Sequence, residues 1–309
     1  MQGESYEKAA ILGPGLIGAS IGLALKQRSL ARQVVGLARR ASTLETAKSA
    51  GAIDSGTTRI EEALEGADLV VFAAPVLATI ELIERTGSLV SMLRRIPGRR
   101  PLLTDTSSTK AEVVEAARRS LPAEVDFIGG HPMAGGELPG PEHGRGDLFV
   151  GATWVLTPTC DTAQETISRG KALAQALGSR VLLLSPQVHD EIVSVVSHLP
   201  HLLSVALMGE AADLASRHPE TWQVAASGFR DTTRLSASSP ELWRDVCLTN
   251  CGPIADAVAA FRQRLEEMEA WLRQRQGREL ERALAEAQRQ RIELKEQESH
   301  VLQTLRDGQ

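Results

Sequence analysis

The sequence has few aromatic residues and few cysteines, and both shortages limit what it can be. Aromatic residues make up only 3% of its 309 residues, so its cores must be built from Leu, Ile, Val and Ala. Three cysteines are too few and too irregularly spaced for a disulfide framework. The net charge of −5 and the lack of a basic patch exclude nucleic acid as a partner.

The sequence also shows no targeting signal and no membrane-spanning segment. The first eight residues are polar, and a strand-like run follows directly. We find no apolar run long enough to span a bilayer, and we therefore expect a cytoplasmic protein without a membrane partner. At 309 residues the chain is long enough for two domains, each with its own core.

The first half of the chain alternates short apolar runs with helical segments. Strands are predicted at 9–12, 33–37, 69–73, 102–104, 127–129, 153–156 and 180–184. Helices are predicted between them at 42–50, 60–65, 79–93, 110–120 and 162–177. This alternation predicts an α/β fold, in which an N-terminal, doubly wound, Rossmann-type parallel sheet comes first.

From Gln187 onward the pattern is helical, with a long apolar helix at 187–208 that we expect Pro200 to interrupt. We expect a dinucleotide-binding domain at 1–185 and an all-α domain for substrate binding and dimerisation at 186–309. Two late helices carry apolar stripes on polar surfaces: Phe261, Leu265, Met268 and Leu272, then Leu280, Leu284, Ile292 and Leu294. Such a stripe more often packs than stays solvated, so we predict a homodimer, with a free charged tail as the alternative.

The segment Gly13-Pro14-Gly15-Leu16-Ile17-Gly18 fits the pattern G-x-G-x-x-G, directly after a predicted strand and at the start of a helix. This context is the one in which the pattern indicates a dinucleotide site. Gly13 permits the tight turn, Gly15 lets the backbone approach a pyrophosphate, and Gly18 lets the helix pack closely on the strand. Leu16 and Ile17 complete the predicted loop. A glycine turn without a ligand is the alternative.

The end of the second predicted strand bears on which cofactor is bound. An acidic residue there would bind the ribose 2′-hydroxyl of NAD, but the chain has Arg39 and Arg40 followed by Ser42 and Thr43. Two cations and two hydroxyls suit a 2′-phosphate, so NADP is favoured and NAD stays open. The alternative is that the arginines stack on adenine or face solvent.

Two arginines in the segment 229–235 suit a substrate with more than one carboxylate. Arg230 and Arg234 are four residues apart, which places them on one face of a helix. A guanidinium is always charged, and its planar fork of donors matches a carboxylate. A solvated, salt-bridged helix face is the alternative.

Several segments in a fixed order carry a resemblance to a known family. They follow the patterns G-x-G-x-x-G at 13–18, D-x-x-S-x-K at 105–110, H-P-x-x-G at 131–135, S-H-L-P-H at 197–201 and F-R-D-x-T-R at 229–234. As a combination they are highly specific, although no single one is. The chain resembles the prephenate dehydrogenase family, which includes the arogenate dehydrogenases, from residue 10 to about residue 261.

This resemblance implies a function and a set of site residues. The function is oxidative decarboxylation of prephenate to 4-hydroxyphenylpyruvate in tyrosine biosynthesis, with hydride transfer to NAD(P)+. His131 matches the base that takes the hydroxyl proton, and Ser108 matches a serine that binds the same hydroxyl region. Substrate contacts are implied for Arg234, Arg230, His201, His198, Glu137 and Trp243. Tyrosine is a candidate feedback ligand.

Other functions remain to be weighed against this one. Arogenate is the alternative substrate, although His201 favours prephenate. A non-catalytic NADP-sensing module would bind the cofactor without turnover. The β-hydroxyacid dehydrogenases use a lysine on a helix of the second domain, and the helix at 187–208 has no lysine. His189, His198 and His201 lack a fourth ligand at metal spacing, so we expect no metal site.

Three of the candidate residues also have structural alternatives. Ser108 sits where a strand gives way to a helix, so it could simply cap that helix. Trp243 could be an ordinary core residue. His189 could be a hydrogen-bonded structural histidine. The sequence leaves these alternatives open.

Overall fold

A computed structural model of the chain describes residues 5–94, 98–136 and 138–307. In these ranges the chain forms two compact units, Met1–Ile254 and Ala255–Gln309. The boundary between the units falls inside a helix. These units differ from the two domains that the sequence predicts, so the boundary between residues 185 and 186 stays a prediction.

Eight strands in the first unit form one sheet in the order β3-β2-β1-β4-β5-β6-β7-β8. The strands are β1 Tyr6–Leu12, β2 Ala31–Leu37, β3 Ser55–Thr57, β4 Leu69–Phe72, β5 Leu102–Asp105, β6 Asp126–Pro132, β7 Thr153–Thr157 and β8 Arg180–Leu183. All neighbouring pairs are parallel except β6 and β7, which are antiparallel. The predicted doubly wound parallel sheet is confirmed except for this one antiparallel pair, which the sequence did not predict.

Helices cover both faces of the sheet. The first six are α1 Leu16–Gln27, α2 Ala41–Ser49, α3 Ile60–Leu64, α4 Val76–Ser88, α5 Ala111–Ser120 and α6 Gln164–Ala176. Successive β1 residues feed two separate cores: Ala9 and Ile11 belong to one, and Ala10 and Leu12 to the other. Burial on both faces explains why the strands appear in the sequence as continuous apolar runs.

Strand β3 is the one strand that the sequence pattern did not predict. It has three residues, Ser55, Gly56 and Thr57, and none of them is fully buried. It pairs with the end of β2, where Leu37 lies opposite Thr57. So short and polar an edge strand leaves no apolar signal in the sequence.

The later helices of the chain are α7 Pro186–Val193, α8 Leu199–Arg217, α9 Thr221–Val224, α10 Ser227–Thr233, α11 Pro240–Thr249, α12 Cys251–Arg273 and α13 Gly277–Asp307. A π-helical segment, Ser194–His198, joins α7 to α8. The predicted interruption at Pro200 is therefore wrong. Pro200 lies in the first turn of α8, and the wider π turn before it accommodates a residue that has no N–H to donate.

Continuity of this run also corrects a second prediction. Residues Pro186–Arg217 form a helix that is long and apolar enough to cross a membrane by length and composition alone. The expected break at Pro200 had divided this run into two shorter segments. Within the first unit this run supplies His189, Asp190, His198 and His201, all of them buried, to the candidate site described below.

The second unit consists of the rest of α12 and of α13. The predicted apolar stripe of α12 is largely uncovered: Leu265, Met268 and Leu272 are exposed. Leu284 and Ile292 of α13 are exposed as well.

Candidate active site

The glycine loop after β1 has the geometry that a dinucleotide requires. Gly13 has φ +102°, and a Cβ there would lie 2.7 Å from the backbone nitrogen of Ala74. A Cβ on Gly18 would lie 2.4 Å from the carbonyl oxygen of Gly13, so only glycine lets α1 approach the loop. Gly15 caps α1 at its N-terminus, and a Cβ there would meet nothing within 4 Å. The helix end is therefore open to an anionic group.

A cavity of about 570 Å³ lies beside this loop, at the carboxyl ends of β1, β2 and β4. Strand β1 is flanked by β2 and β4, so the cavity is at the topological switch point where doubly wound sheets bind their ligands. Five of the predicted cofactor residues line it: Gly13, Gly15, Arg39, Arg40 and Thr43. Four others, Leu16, Ile17, Gly18 and Ser42, do not.

The two arginines stand where α2 begins. Arg40 is the N-cap residue of α2, and both Arg39 and Arg40 are exposed. Neither has a carboxylate partner among the residues that the structure describes. The N-terminus of α2 and the two guanidiniums thus place positive charge at the cavity.

A second group of residues lies at the ends of β5 and β6. Asp105 accepts hydrogen bonds from the backbone N–H groups of Ser107, at 2.8 Å, and Gly130, at 3.0 Å. The ammonium group of Lys110 contacts the Asp105 carboxylate and donates to the Gly130 carbonyl at 2.7 Å. Burial lowers the pKa of Lys110, and the charge of Asp105 opposes that shift. This buried pair fixes the loop 106–110 against the strand that carries His131.

His131 is connected to α7 through a second histidine. Its Nδ1 lies 2.9 Å from His189 Nε2, and the two rings meet edge to face. His189 Nδ1 lies 2.7 Å from Asp190 Oδ1. Burial, followed by repulsion from Lys110 and from the protonated forms of His189 and His198, holds the pKa of His131 well below 6.5. The lowered pKa favours the neutral imidazole, which is the form that a general base needs at pH 7.

Asp190 also caps the helix that follows the Ser108 loop. Its carboxylate accepts from the backbone N–H groups of Lys110 and Ala111, each at 2.8 Å. The first turn of α5 is therefore capped by Asp190 and not by Ser108, which is half-buried in the loop. The alternative in which Ser108 serves only as a helix cap is wrong.

A second cluster surrounds His198 and His201. Trp243 stacks on His201 with ring centroids 3.6 Å apart and meets His198 edge to face. Asn250 Nδ2 donates to the Asp190 carbonyl at 2.9 Å and lies 3.1 Å from His198 Nδ1. Burial lowers the pKa of His198 to about 4 and also lowers the pKa of His201. Within the described residues, His201 Nδ1 is buried without a hydrogen-bond partner.

The segment 229–235, which carries the two arginines, packs on α8, the helix that carries His201. Helix α10 ends at Thr233, and Arg234 starts a 3₁₀ turn. The two arginines therefore lie on two successive helical segments, and not on one helix as predicted. Both arginines are exposed, and Arg230 donates to the Ala225 carbonyl at 3.0 Å. The turn is held to α8 by Ser236 N–H, which donates to Ser204 Oγ at 2.9 Å, one helical turn beyond His201.

The remaining residues include one predicted site residue without a described position and three residues of the site without a predicted role. Glu137 lies outside the described residues. Asn250 was missed, because an isolated Asn carries no signal in the sequence. His189 was weighed only as a metal ligand or as a structural histidine, and Asp190 was assigned no role. Among the described residues no group of three or more His, Cys, Asp or Glu side chains is suited to a metal ion.

Comparison with known proteins identifies relatives over most of the chain. Residues 21–183 match the family model "Prephenate dehydrogenase, nucleotide-binding domain", which begins just after Gly18, and residues 185–286 match "Prephenate dehydrogenase, dimerization domain". The prephenate dehydrogenase of Bacillus subtilis is 31% identical over 264 residues, which are 85% of this chain and 70% of that protein.

Two solved structures have the same fold. The prephenate dehydrogenase of Aquifex aeolicus, in complex with hydroxyphenyl propionate and NAD+, superposes with a TM-score of 0.84 at 29% identity, covering 94% of this chain and 99% of that one. The arogenate dehydrogenase of Synechocystis superposes with a TM-score of 0.75 at 30% identity, covering 93% and 99%.

Proposed function

This chain belongs to the prephenate dehydrogenase family, and we propose that it converts prephenate to 4-hydroxyphenylpyruvate and CO₂ while reducing NAD(P)+. The observation that carries this proposal is the position of His131: it lies near the carboxyl end of β6, at the same edge of the sheet as the glycine loop, and its imidazole contacts His189. The family also places the chain among the NAD(P)-binding oxidoreductases of the tyrosine pathway.

The residues present fit a dinucleotide. Gly15 leaves open space at the N-terminus of α1, and the cavity of about 570 Å³ continues from there to Arg39 and Arg40. When bound, the nicotinamide supplies the acceptor for the hydride that leaves C4 of the substrate ring. We propose NADP as the preferred cofactor, because Arg39, Arg40 and the N-terminus of α2 together suit a 2′-phosphate. NAD is the alternative, and the Aquifex relative has NAD+ bound.

His131 acts on the proton of the 4-hydroxyl. As the hydride leaves C4, the imidazole accepts this proton, so the ring carbon gains its second bond to oxygen without building up positive charge. Loss of the ring carboxylate as CO₂ then returns an electron pair to the ring, and the oxygen recovers one proton to give the phenol. Ser108, in the half-buried loop before α5, is the proposed partner of the same hydroxyl.

The carboxylates of prephenate require cationic and polar partners. We assign Arg234 to one carboxylate, with Arg230 as a supporting charge. His201, stacked on Trp243 with its Nδ1 free of protein partners in the described residues, is the proposed contact for the pyruvyl side chain. His198 and Glu137 are proposed as further polar groups of the pocket.

Arogenate is the competing substrate, because it differs from prephenate only where an amine replaces the side-chain keto group. A relative of known structure is an arogenate dehydrogenase. A neutral His201 can donate a hydrogen bond to a keto oxygen, whereas an ammonium group would call for an acidic partner. We therefore favour prephenate.

We also propose that the chain works as a homodimer. Residues 185–286 match a dimerization domain, and the apolar stripe of α12 is exposed in a single chain. Sedimentation should give twice the chain mass of 33.2 kDa.

The variant His131→Asn tests the catalytic role. It should lower kcat at least about 100-fold, the lower end of the contribution of a general base. The Kd for NADPH should not change, because His131 does not line the cofactor cavity. Unchanged turnover would refute the role of His131 as the base, and cofactor binding without turnover in the parent protein would favour a nucleotide-sensing module.

A further inference from the structure

We propose that His189 and Asp190 are positioning residues that hold His131 in the tautomer whose Nε2 accepts the substrate proton. The inference rests on the proposed function, since it assigns a role within the same reaction. Three groups form one continuous line: Asp190 Oδ1 to His189 Nδ1 at 2.7 Å, and His189 Nε2 to His131 Nδ1 at 2.9 Å.

The position of each proton along this line follows from the position of Asp190. Its carboxylate already accepts from two backbone N–H groups at the start of α5, those of Lys110 and Ala111. Two such donors and the positive end of a ten-residue helix stabilise the ionised form, which can only accept hydrogen bonds. The hydrogen between Asp190 and His189 is therefore on His189 Nδ1.

The second link follows with a neutral His189, which is part of this proposal. An imidazole that carries its one hydrogen on Nδ1 has an unprotonated Nε2, so His189 Nε2 is an acceptor. His131 must supply the hydrogen of the 2.9 Å contact from its own Nδ1. In a neutral His131 this leaves Nε2 with its lone pair, which is what a proton acceptor needs.

Burial keeps this line in place. His189 and Asp190 are only 1% and 2% exposed, so water does not compete for their hydrogen bonds. The Asp190 carboxylate is held at the N-terminus of α5, and the backbone carbonyl of Asp190 accepts a hydrogen bond from Asn250. When His131 takes up the substrate proton, the positive charge that develops on it is stabilised through His189 by the carboxylate. The logic is that of a triad in which a carboxylate orients a catalytic imidazole, with a second imidazole between them.

The test compares His189→Gln with His189→Met, two side chains of nearly equal length. Glutamine can accept a hydrogen bond from His131 Nδ1, and methionine can do so only weakly. We expect His189→Met to lower kcat for prephenate at least about tenfold more than His189→Gln, within the range that a general base contributes, with similar KM values. Thermal unfolding of both variants provides the control for stability.

A spectroscopic measurement makes the test independent of activity. In ¹⁵N-histidine-labelled protein, the long-range ¹⁵N–¹H spectrum should show His131 with its hydrogen on Nδ1, and His131→Asn identifies its signals. This pattern should persist in His189→Gln and be lost in His189→Met.

Two results would overturn the proposal: equal kcat values in the two variants, or a hydrogen on His131 Nε2 in the parent protein. Because the spectrum requires no turnover, it tests the positioning role even if prephenate proves not to be the substrate.

Discussion

The buried ion pair behind the active-site loop makes a quantitative prediction about stability. Lys110 and Asp105 are both fully buried, and the ammonium group has two acceptors, the Asp105 carboxylate and the Gly130 carbonyl. Replacing Lys110 with Met removes the cation and leaves the carboxylate in a site without water. Breaking a buried pair in this way costs about 3–5 kcal/mol. Asp105 retains two backbone donors, so we expect a value near the lower end, about 3 kcal/mol.

Urea unfolding of Lys110→Met and of the double variant Asp105→Asn/Lys110→Met separates the lost pair from lost packing. The double variant has no buried charge left, so it should be more stable than Lys110→Met by at least about 1 kcal/mol. It should still be less stable than the parent, because an amide cannot accept from both Ser107 and Gly130 as the carboxylate does. A loss below about 1 kcal/mol in Lys110→Met, or a double variant no more stable than the single one, would refute this reasoning.

Three further predictions concern the cofactor, the substrate and pH. Arg39→Asp should raise KM for NADP far more than KM for NAD in initial-rate assays, and equal effects on both would contradict the 2′-phosphate role. Arg234→Ala should raise KM for prephenate about 10- to 100-fold, and more than Arg230→Ala does, as expected for loss of a charged hydrogen bond. Burial lowers the pKa of His198 to about 4, so protonating this imidazole costs the folded state free energy: the penalty is absent above pH 6.5 and grows to about 3 kcal/mol as the pH falls from 6.5 toward 4. His198→Gln should flatten the dependence of urea stability on pH in that window, and an unchanged slope would contradict the assignment.

Features set by local spacing were predictable from the sequence. The glycine loop at 13–18 needs only a strand, a turn and a helix in order, and Gly13 and Gly18 are in fact places where a Cβ would clash. Arg39 and Arg40 were found because they follow β2 directly. The location of His131 at the sheet edge followed from its place at the end of a predicted strand.

Features set by contacts between distant parts of the chain were not predictable. His131 meets His189 across 58 residues, and Lys110 meets Asp190 across 80. No periodicity in either segment records such a contact. The π turn at Ser194–His198 was hidden because Pro200 suggests a helix break when its surroundings are unknown. Strand β3 was hidden because it pairs through its backbone and has no buried apolar side chain.

The central claim is that this chain oxidises and decarboxylates prephenate. Initial rates measured with prephenate and arogenate, each crossed with NAD and NADP, test it most directly. We expect reduced cofactor and CO₂ to form in equal amounts from prephenate, with a larger kcat/KM than for arogenate and a preference for NADP. A much larger kcat/KM for arogenate would contradict the substrate assignment, and cofactor binding with no reduction by either substrate would contradict the enzymatic function itself.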